Sequence, residues 1–166
     1  MDFHPSHDAP SGVVVKRVIV GQEELFGPWI SKRLGMQWFP GRGSIIGLWQ
    51  DGVGPIAACL FEGCNGASIM LHCVGEGRIW LNREFLWFTF YYPFEQLKLS
   101  KIICPVESDN YDSRHFIENI GFVLEATLKK AAPKGDLLIY TLEKDQCKWL
   151  SLRTKYRGQT LSTSST

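Results

Sequence analysis

Two dipeptides, Asp51-Gly52 and Asn65-Gly66, constrain the fold most strongly because they divide residues 44–74 into three apolar runs. Asp-Gly and Asn-Gly favour the left-handed backbone conformations of tight turns between antiparallel strands. The sequence therefore predicts an antiparallel meander with strands at 44–50, 54–62 and 66–74.

Two helical regions flank this meander. Apolar residues in 21–35 recur at a spacing of three to four, which predicts two short helices broken near Gly27-Pro28. Residues 81–97 are predicted to form a helix that is capped by Asn82, continues to about Tyr92 and bends at Pro93.

The remaining elements complete a mixed α+β order. A β-branched strand is predicted at 12–20. The C-terminal part is predicted to form a strand at 100–106, a helix at 112–120, a strand at 121–128, a loop at 129–135 and a strand at 136–144. Because the helix at 81–97 connects two neighbouring strands, the strands at 66–74 and 100–106 should pair in parallel. We expect one domain over 13–150, a loose N-terminus over 1–12 and a disordered polar tail over 151–166.

Composition limits the functional classes. The chain has 166 residues, 45% hydrophobic and 21% charged, with a net charge of +1, so no overall basic field indicates nucleic-acid binding. Its five cysteines show no CxxC pair and no metal-ligand spacing, which predicts reduced thiols in the cytoplasm and no metal. The longest apolar run, 85–94, is about half of the ~20 residues that cross a bilayer, and no secretory signal is present.

The segment "KIICPVESDNYDSRHFIENIGFVLEATLKK" carries the most specific pattern. A strand is followed by Asn110, by Ser113 three residues later, by a helix, by Gly121-Phe122 and by another strand. This segment resembles the GCN5-related N-acetyltransferase (GNAT) superfamily, and the likeness extends over about residues 13–145. Together with "LNREFLWFTFYYPFEQL" and "LEKDQCKWL" it looks like small acetyltransferase-like proteins of bacteriophages.

The resemblance implies a fold and a cofactor site. The fold would be a mostly antiparallel sheet that splays at a parallel pair and is flanked by about four helices. Acetyl-CoA would bind there without a metal, its pantetheine arm lying along the splayed strands and its pyrophosphate at the start of the helix at 81–97. The positions implied for cofactor binding are Leu71, Cys73, Val74, Arg78, Trp80, Leu81, Asn82, Arg83, Asn110 and Phe116.

Two departures from the family pattern support a second interpretation. When the pyrophosphate loop is aligned on Arg78, Leu81 and Arg83 occupy its two small positions. Ile117 stands where many members have a tyrosine that protonates the leaving thiolate. The alternative to a transferase is therefore a GNAT-fold binding protein without catalysis, directed at a host component.

The catalytic candidates each have a structural alternative. His72 is either the general base or a hydrogen-bonded core histidine. His115 is either the acid that replaces the tyrosine or a solvated helical residue, and Tyr111 and Ser113 are further candidates for proton transfer. Asn110 is expected both to cap the helix and to lie beside the cofactor.

Several other features of the sequence are interpreted as structural and not as functional. "PGRG" (40–43) is expected to be a turn with Arg42 solvated, and Cys73 and Cys104 are expected to be buried and unreactive. The aromatic helix at 81–97 is expected in the core, with a homodimer surface or a base-stacking platform as the alternatives. The tail has four residues able to contact phosphate, Arg153, Lys155, Tyr156 and Arg157.

The predicted function is transfer of acetyl from acetyl-CoA to an amine acceptor. The acceptor is left open among a protein, a small molecule and a nucleobase, the last by analogy with Mom-type DNA modification enzymes. The choice of acceptor is expected to depend on residues 21–35 and 129–135. The expected location is the cytoplasm, that of the host cell if the protein is phage-encoded.

Overall fold

The computed structural model describes residues 14–77 and 81–152. Within these residues seven strands form one sheet in the order β1-β2-β3-β4-β5-β7-β6. All neighbouring strands are antiparallel except β4 and β5, which are parallel. The strands are β1 (Lys16–Val20), β2 (Ser44–Gln50), β3 (Gly54–Glu62), β4 (Ser68–Gly75), β5 (Lys101–Glu107), β6 (Val123–Ala132) and β7 (Gly135–Glu143). The predicted mixed α+β class is confirmed.

Three α-helices pack on this sheet within the described residues: α1 (Glu23–Leu34), α2 (Arg83–Tyr91) and α3 (Tyr111–Asn119). Short 3₁₀ turns at Lys144–Gln146 and Lys148–Ser151 follow the last strand. None of the helices in the described ranges is long and apolar enough to cross a membrane.

The predicted meander is confirmed, and β2 and β3 have the predicted bounds. Strand β4 begins at Ser68, later than expected. Its start is delayed because Asn65 Oδ1 accepts hydrogen bonds from the N–H groups of Ala67 (3.0 Å) and Ser68 (2.8 Å), which holds 65–67 in a turn.

The prediction of two helices in 21–35 is wrong, because α1 is continuous. A Cβ atom on Gly27 would lie 2.2 Å from the Trp38 ring, so this glycine gives room for packing and does not end the helix. Pro28 has no N–H for the helical hydrogen bond to the preceding turn. Phe26 and Ile30, both fully buried, hold the helix to the sheet on either side of the proline.

Asn82 caps α2 as predicted, because its Oδ1 accepts a hydrogen bond from Phe85 N at 2.7 Å. The α-helix ends at Tyr91, close to the predicted Tyr92, and continues as a π-helical turn (Tyr92–Gln96), in which Leu97 N donates to Tyr92 O at 3.0 Å. Pro93 lies inside this wider turn.

The aromatic side chains of α2 and of the turn after it are buried within this chain: Phe85, Trp87, Phe88, Phe90, Tyr92 and Phe94. Helix α2 contacts β1, β2 and the turn at Lys148–Ser151. Trp149 stacks on Phe90 and donates its indole N–H to Ile120 O at 2.6 Å. The expected core position of these rings is confirmed by their burial, and a homodimer or a base-stacking platform at 81–97 stays a prediction.

The closing hairpin also differs from its prediction. Strand β6 continues to Ala132, so most of the loop expected at 129–135 is strand. The Asp136 carboxylate stabilises this end of the hairpin by accepting from Lys130 N and Lys129 Nζ, each at 2.9 Å. The described residues include Ser151 and Leu152, which were expected to belong to the tail, and Leu152 packs against the main core. The expected loose segment 1–12 and the tail beyond residue 152 lie outside the described residues.

Candidate functional site

Strands β4 and β5 start together and then separate, as expected. They pair at Ser68 with Lys101, at Ile69 with Ile102 and at Met70 with Ile103. Beyond these pairs, β4 stays bonded to β3, and β5 stays bonded to β7. The edges of 71–75 and 104–107 that face each other therefore have unpaired N–H and C=O groups, which can bind an extended peptide-like ligand.

A cleft of about 340 Å³ lies between the separated strands. Its walls come from Leu71 to Cys73 of β4, from Cys104 to Glu107 of β5 and from the cleft-facing side of α3. Leu34 and Met36, at and just after the end of α1, also line it. The cleft thus brings together segments that are far apart in the sequence.

The lining residues belong to both faces of the sheet. Leu71, Cys104 and Val106 pack in the main core together with α2. His72 points to the opposite face, because its cross-strand partner Leu60 packs in the second core cluster against α1. The cleft between β4 and β5 therefore has walls that belong to both the α2 face and the α1 face.

His72 lies in a short chain of charged groups. Its Nε2 lies 2.9 Å from Glu62 Oε1, and Glu62 Oε2 accepts a hydrogen bond from Arg42 Nε at 2.7 Å. The side chains of His72 and Glu62 are 23% and 13% exposed. The hydrogen bond from Arg42 is the main cause that holds the pKa of the Glu62 carboxyl below its usual range.

Arg42 was expected to be solvated, and that expectation is wrong. The turn at 40–43 is present, with Arg42 N donating to Phe39 O at 3.1 Å. This turn directs the guanidinium to Glu62 at the end of β3 and to the carbonyl of Gln37. No local sequence pattern indicates this contact, because Arg42, Glu62 and His72 lie on different segments.

Helix α3 contributes the polar side of the cleft. Asn110 caps it by accepting a hydrogen bond from Ser113 N at 3.1 Å, and both residues line the cleft with Phe116. Ile117, at the position where the resemblance implies a tyrosine, is 2% exposed and also lines the cleft. The structural half of the double role expected for Asn110 is thus confirmed.

The other proton-transfer candidates lie elsewhere. Tyr111 is 72% exposed and His115 is also exposed, and neither side chain is part of the cleft wall. The fold brings together His72, Asn110 and Ser113 but not His115.

The positions implied for cofactor binding divide into three groups. Leu71, Cys73, Asn110 and Phe116 line the cleft. Val74 packs against the cluster on the α1 side, and Asn82 uses its side-chain oxygen as the cap of α2, beside the exposed Leu81 and Arg83. Arg78 and Trp80 lie outside the described residues.

The cleft also contains thiols. Cys73 Sγ lies 2.9 Å from Cys59 Sγ, and this hydrogen bond together with burial raises the pKa of the Cys73 thiol. Burial raises the pKa of Cys104 to about 12. Both groups are therefore protonated at neutral pH. No group of three or more potential metal ligands occurs in 14–77 and 81–152.

Comparison with known proteins identifies the fold. No family model matches the sequence, and no curated protein matches it. Solved structures do match. Mutant forms of the spermidine/spermine N-acetyltransferase SpeG from Vibrio cholerae superimpose with a TM-score of 0.65 at 14% identity, over 79% of this chain and 96% of that chain.

Two further structures give the same result. Spermidine N-acetyltransferase from Vibrio cholerae in complex with CoA and spermine matches with a TM-score of 0.54 at 18% identity, over 75% of this chain and 74% of that one. A GNAT-family acetyltransferase from Bacillus anthracis matches with a TM-score of 0.53 at 20% identity, over 74% and 75%. The chain therefore has the GNAT fold. Its likeness to bacteriophage proteins stays a prediction.

Proposed function

We propose that this chain is an acyl-CoA-dependent N-acetyltransferase that transfers acetyl from acetyl-CoA to an amine. The observation that carries the proposal is the open end of the β4–β5 pair. Unpaired backbone groups there face a cleft whose walls come from both faces of the sheet. An acyl donor held along the strand edges and an acceptor on the α1 face would meet in such a cleft. A neighbouring structure of the same fold contains CoA and spermine, which supports the proposal.

The residues on the α2 face suit the donor. The free edge of β4 at Leu71 and Cys73 offers hydrogen-bonding groups to the amides of a pantetheine arm. The N-terminus of α2, with the exposed Arg83 in its first turn, offers partial and full positive charge to a pyrophosphate. Bound acetyl-CoA supplies a thioester carbonyl as the electrophile, and a backbone N–H beside Cys73 stabilises the charge that develops on its oxygen.

His72 is assigned as the general base. A primary amine with a pKa of ~10.4 is almost fully protonated at neutral pH and has to lose a proton before it attacks. The Glu62 carboxylate accepts the hydrogen bond from Nε2–H of His72, which leaves the Nδ1 lone pair to take that proton. Glu62 is itself fixed by Arg42, so the imidazole has a defined orientation.

The leaving thiolate needs a proton that Ile117 has no group to supply. Of the donors predicted from the sequence on α3, Ser113 is the hydroxyl that lines the cleft. We assign it to deliver that proton, with replacement from the solvent at the open side of the cleft.

The second candidate is a GNAT-fold binding protein without catalysis. The buried Ile117 at the position of the usual acid favours it. A nucleobase acceptor remains a variant of the first candidate. The free cysteines among the described residues suit a reducing compartment, and we propose a cytoplasmic location, that of the host if a phage encodes the chain.

Calorimetric titration of acetyl-CoA separates the two candidates. Wild-type protein should bind saturably, and Ser113→Trp, which fills the cleft, should weaken binding by about tenfold or more. Asp112→Trp is the matched control, because Asp112 is exposed on the same turn of α3. Absence of binding at millimolar acetyl-CoA would exclude the transferase and favour the binding protein.

A further inference from the structure

The cleft has a donor side on the α2 face and an acceptor mouth on the α1 face, and the two differ in chemistry. The α2 face contains the start of α2 and the free edge of β4, and the proposed function places the acyl donor there. The acceptor therefore enters from the α1 face, where His72 lies. The residues that select the acceptor are those that line the cleft on this side.

Apolar side chains form most of this acceptor mouth. Leu34 and Met36 line it from the end of α1, and Leu137 lines it from β7. Leu137 is the register partner of Glu107, so these two side chains share the α1 face of the sheet. Pro105 lies two residues before Glu107 on the same face. The walls suit a hydrocarbon or aromatic group better than a charged chain.

The carboxylates on this side are mostly neutralised. Glu62 is paired with Arg42 at 2.7 Å, and Glu76, which follows β4, is paired with Arg33. Glu107 lines the cleft, is exposed, and forms no ion pair with any cation in the described ranges. Among the described residues that line the cleft, Glu107 is therefore the carboxylate that remains to attract a cation at the acceptor mouth.

From this arrangement we infer that the acceptor is a small primary amine with one positive charge and an apolar body, and not a polyamine. The inference rests on the proposed transferase function. Glu107 on β5 attracts the ammonium group, His72 on β4 takes its proton, and the apolar walls hold the rest of the molecule. A polyamine would place its further ammonium groups against Leu34, Met36 and Leu137, where desolvation without a partner is costly.

Competition between amines tests the inference. Wild-type protein with acetyl-CoA is given 2-phenylethylamine, spermidine or Nα-acetyl-lysine amide, and the N-acetyl product is measured by mass spectrometry. Detection by a thiol reagent is avoided because the exposed Cys64 would react. We expect kcat/KM for 2-phenylethylamine to exceed that for each of the other two amines by about tenfold or more.

Two variants test whether Glu107 determines the selectivity for the amine acceptor. Glu107→Gln keeps the shape of the side chain and removes its charge, so KM for 2-phenylethylamine should rise by about tenfold while acetyl-CoA binding is unchanged. Asp109→Asn is the matched control: Asp109 is exposed two residues further on and does not line the cleft. An equal effect of both variants would overturn the role of Glu107.

The outcomes separate the inference from the proposed function. Faster acetylation of spermidine or of the lysine amide overturns the inference and leaves the transferase proposal intact. If acetyl-CoA binds and none of the three amines is acetylated, the inference fails, whereas absence of acetyl-CoA binding overturns the transferase proposal.

Discussion

His72 Nε2 lies 2.9 Å from Glu62 Oε1, and the same carboxylate is bound by Arg42 through its other oxygen. The Glu62 carboxylate is thus hydrogen-bonded to two side chains, those of His72 and Arg42. Because Arg42 anchors Glu62 at the end of β3, the imidazole on β4 is held by a partner that does not depend on substrate. This arrangement makes Glu62 a positioning residue for the proposed base.

Replacement of Glu62 should affect turnover more than binding. In Glu62→Leu the imidazole loses its hydrogen-bond acceptor, and we expect kcat to fall by about 10²-fold, within the range of general-base catalysis. Steady-state kinetics should show KM for acetyl-CoA within about twofold of wild type. Glu125→Leu is the control for a general loss of surface charge, because Glu125 lies on β6, away from the cleft. A loss of acetyl-CoA binding equal to the loss of kcat would contradict a positioning role.

The Arg42–Glu62 pair should stabilise the fold in a pH-dependent way. The pKa of Glu62 is lower in the folded protein than its ordinary value of 4.5, so the stabilisation is complete above that pH. It is lost as the pH falls through the lowered pKa. We expect Arg42→Gln to reduce the free energy of unfolding by about 1–3 kcal/mol at pH 7. Urea unfolding at pH 7 and pH 3 measures the difference between the two proteins, and a difference of the same size at both would refute the coupling.

Local patterns predicted much of the fold but not the contacts across the cleft. Asp51-Gly52 and Asn65-Gly66 located the meander because turn chemistry is encoded in adjacent residues. The Gly27-Pro28 pair led to a wrong prediction of a helix break. Gly27 is there because the Trp38 ring, which lies outside the helix, packs against it. Arg42 and Glu62 pair through tertiary structure, and nothing in the sequence near either residue indicates the other. Asn110 and Ser113 were found because the cap that joins them is local.

The thiols should differ widely in reactivity. Cys64 is exposed, whereas Cys104 is buried with its pKa raised to about 12, and the pKa of Cys73 is raised by its hydrogen bond to Cys59 and by burial. Since the thiolate is the reactive form, native protein treated with iodoacetamide at pH 8 should be labelled first at Cys64. Peptide mass spectrometry measures the order of labelling. In Cys64→Ser the fast phase should disappear, and a fast phase assigned to Cys73 or Cys104 would contradict the burial described above.

Substitution of Gly27 tests packing against helix propensity. In an isolated helix, Gly27→Ala would stabilise α1 by about 1 kcal/mol. In the folded chain the added Cβ lies 2.2 Å from the Trp38 ring, so the ring has to move. We expect a net destabilisation of about 1–3 kcal/mol, measured by urea unfolding. In the double variant with Trp38→Leu the smaller side chain leaves room for the methyl group, and the added cost of Gly27→Ala should largely vanish. A stabilising Gly27→Ala in the wild-type background would show that Trp38 does not pack there.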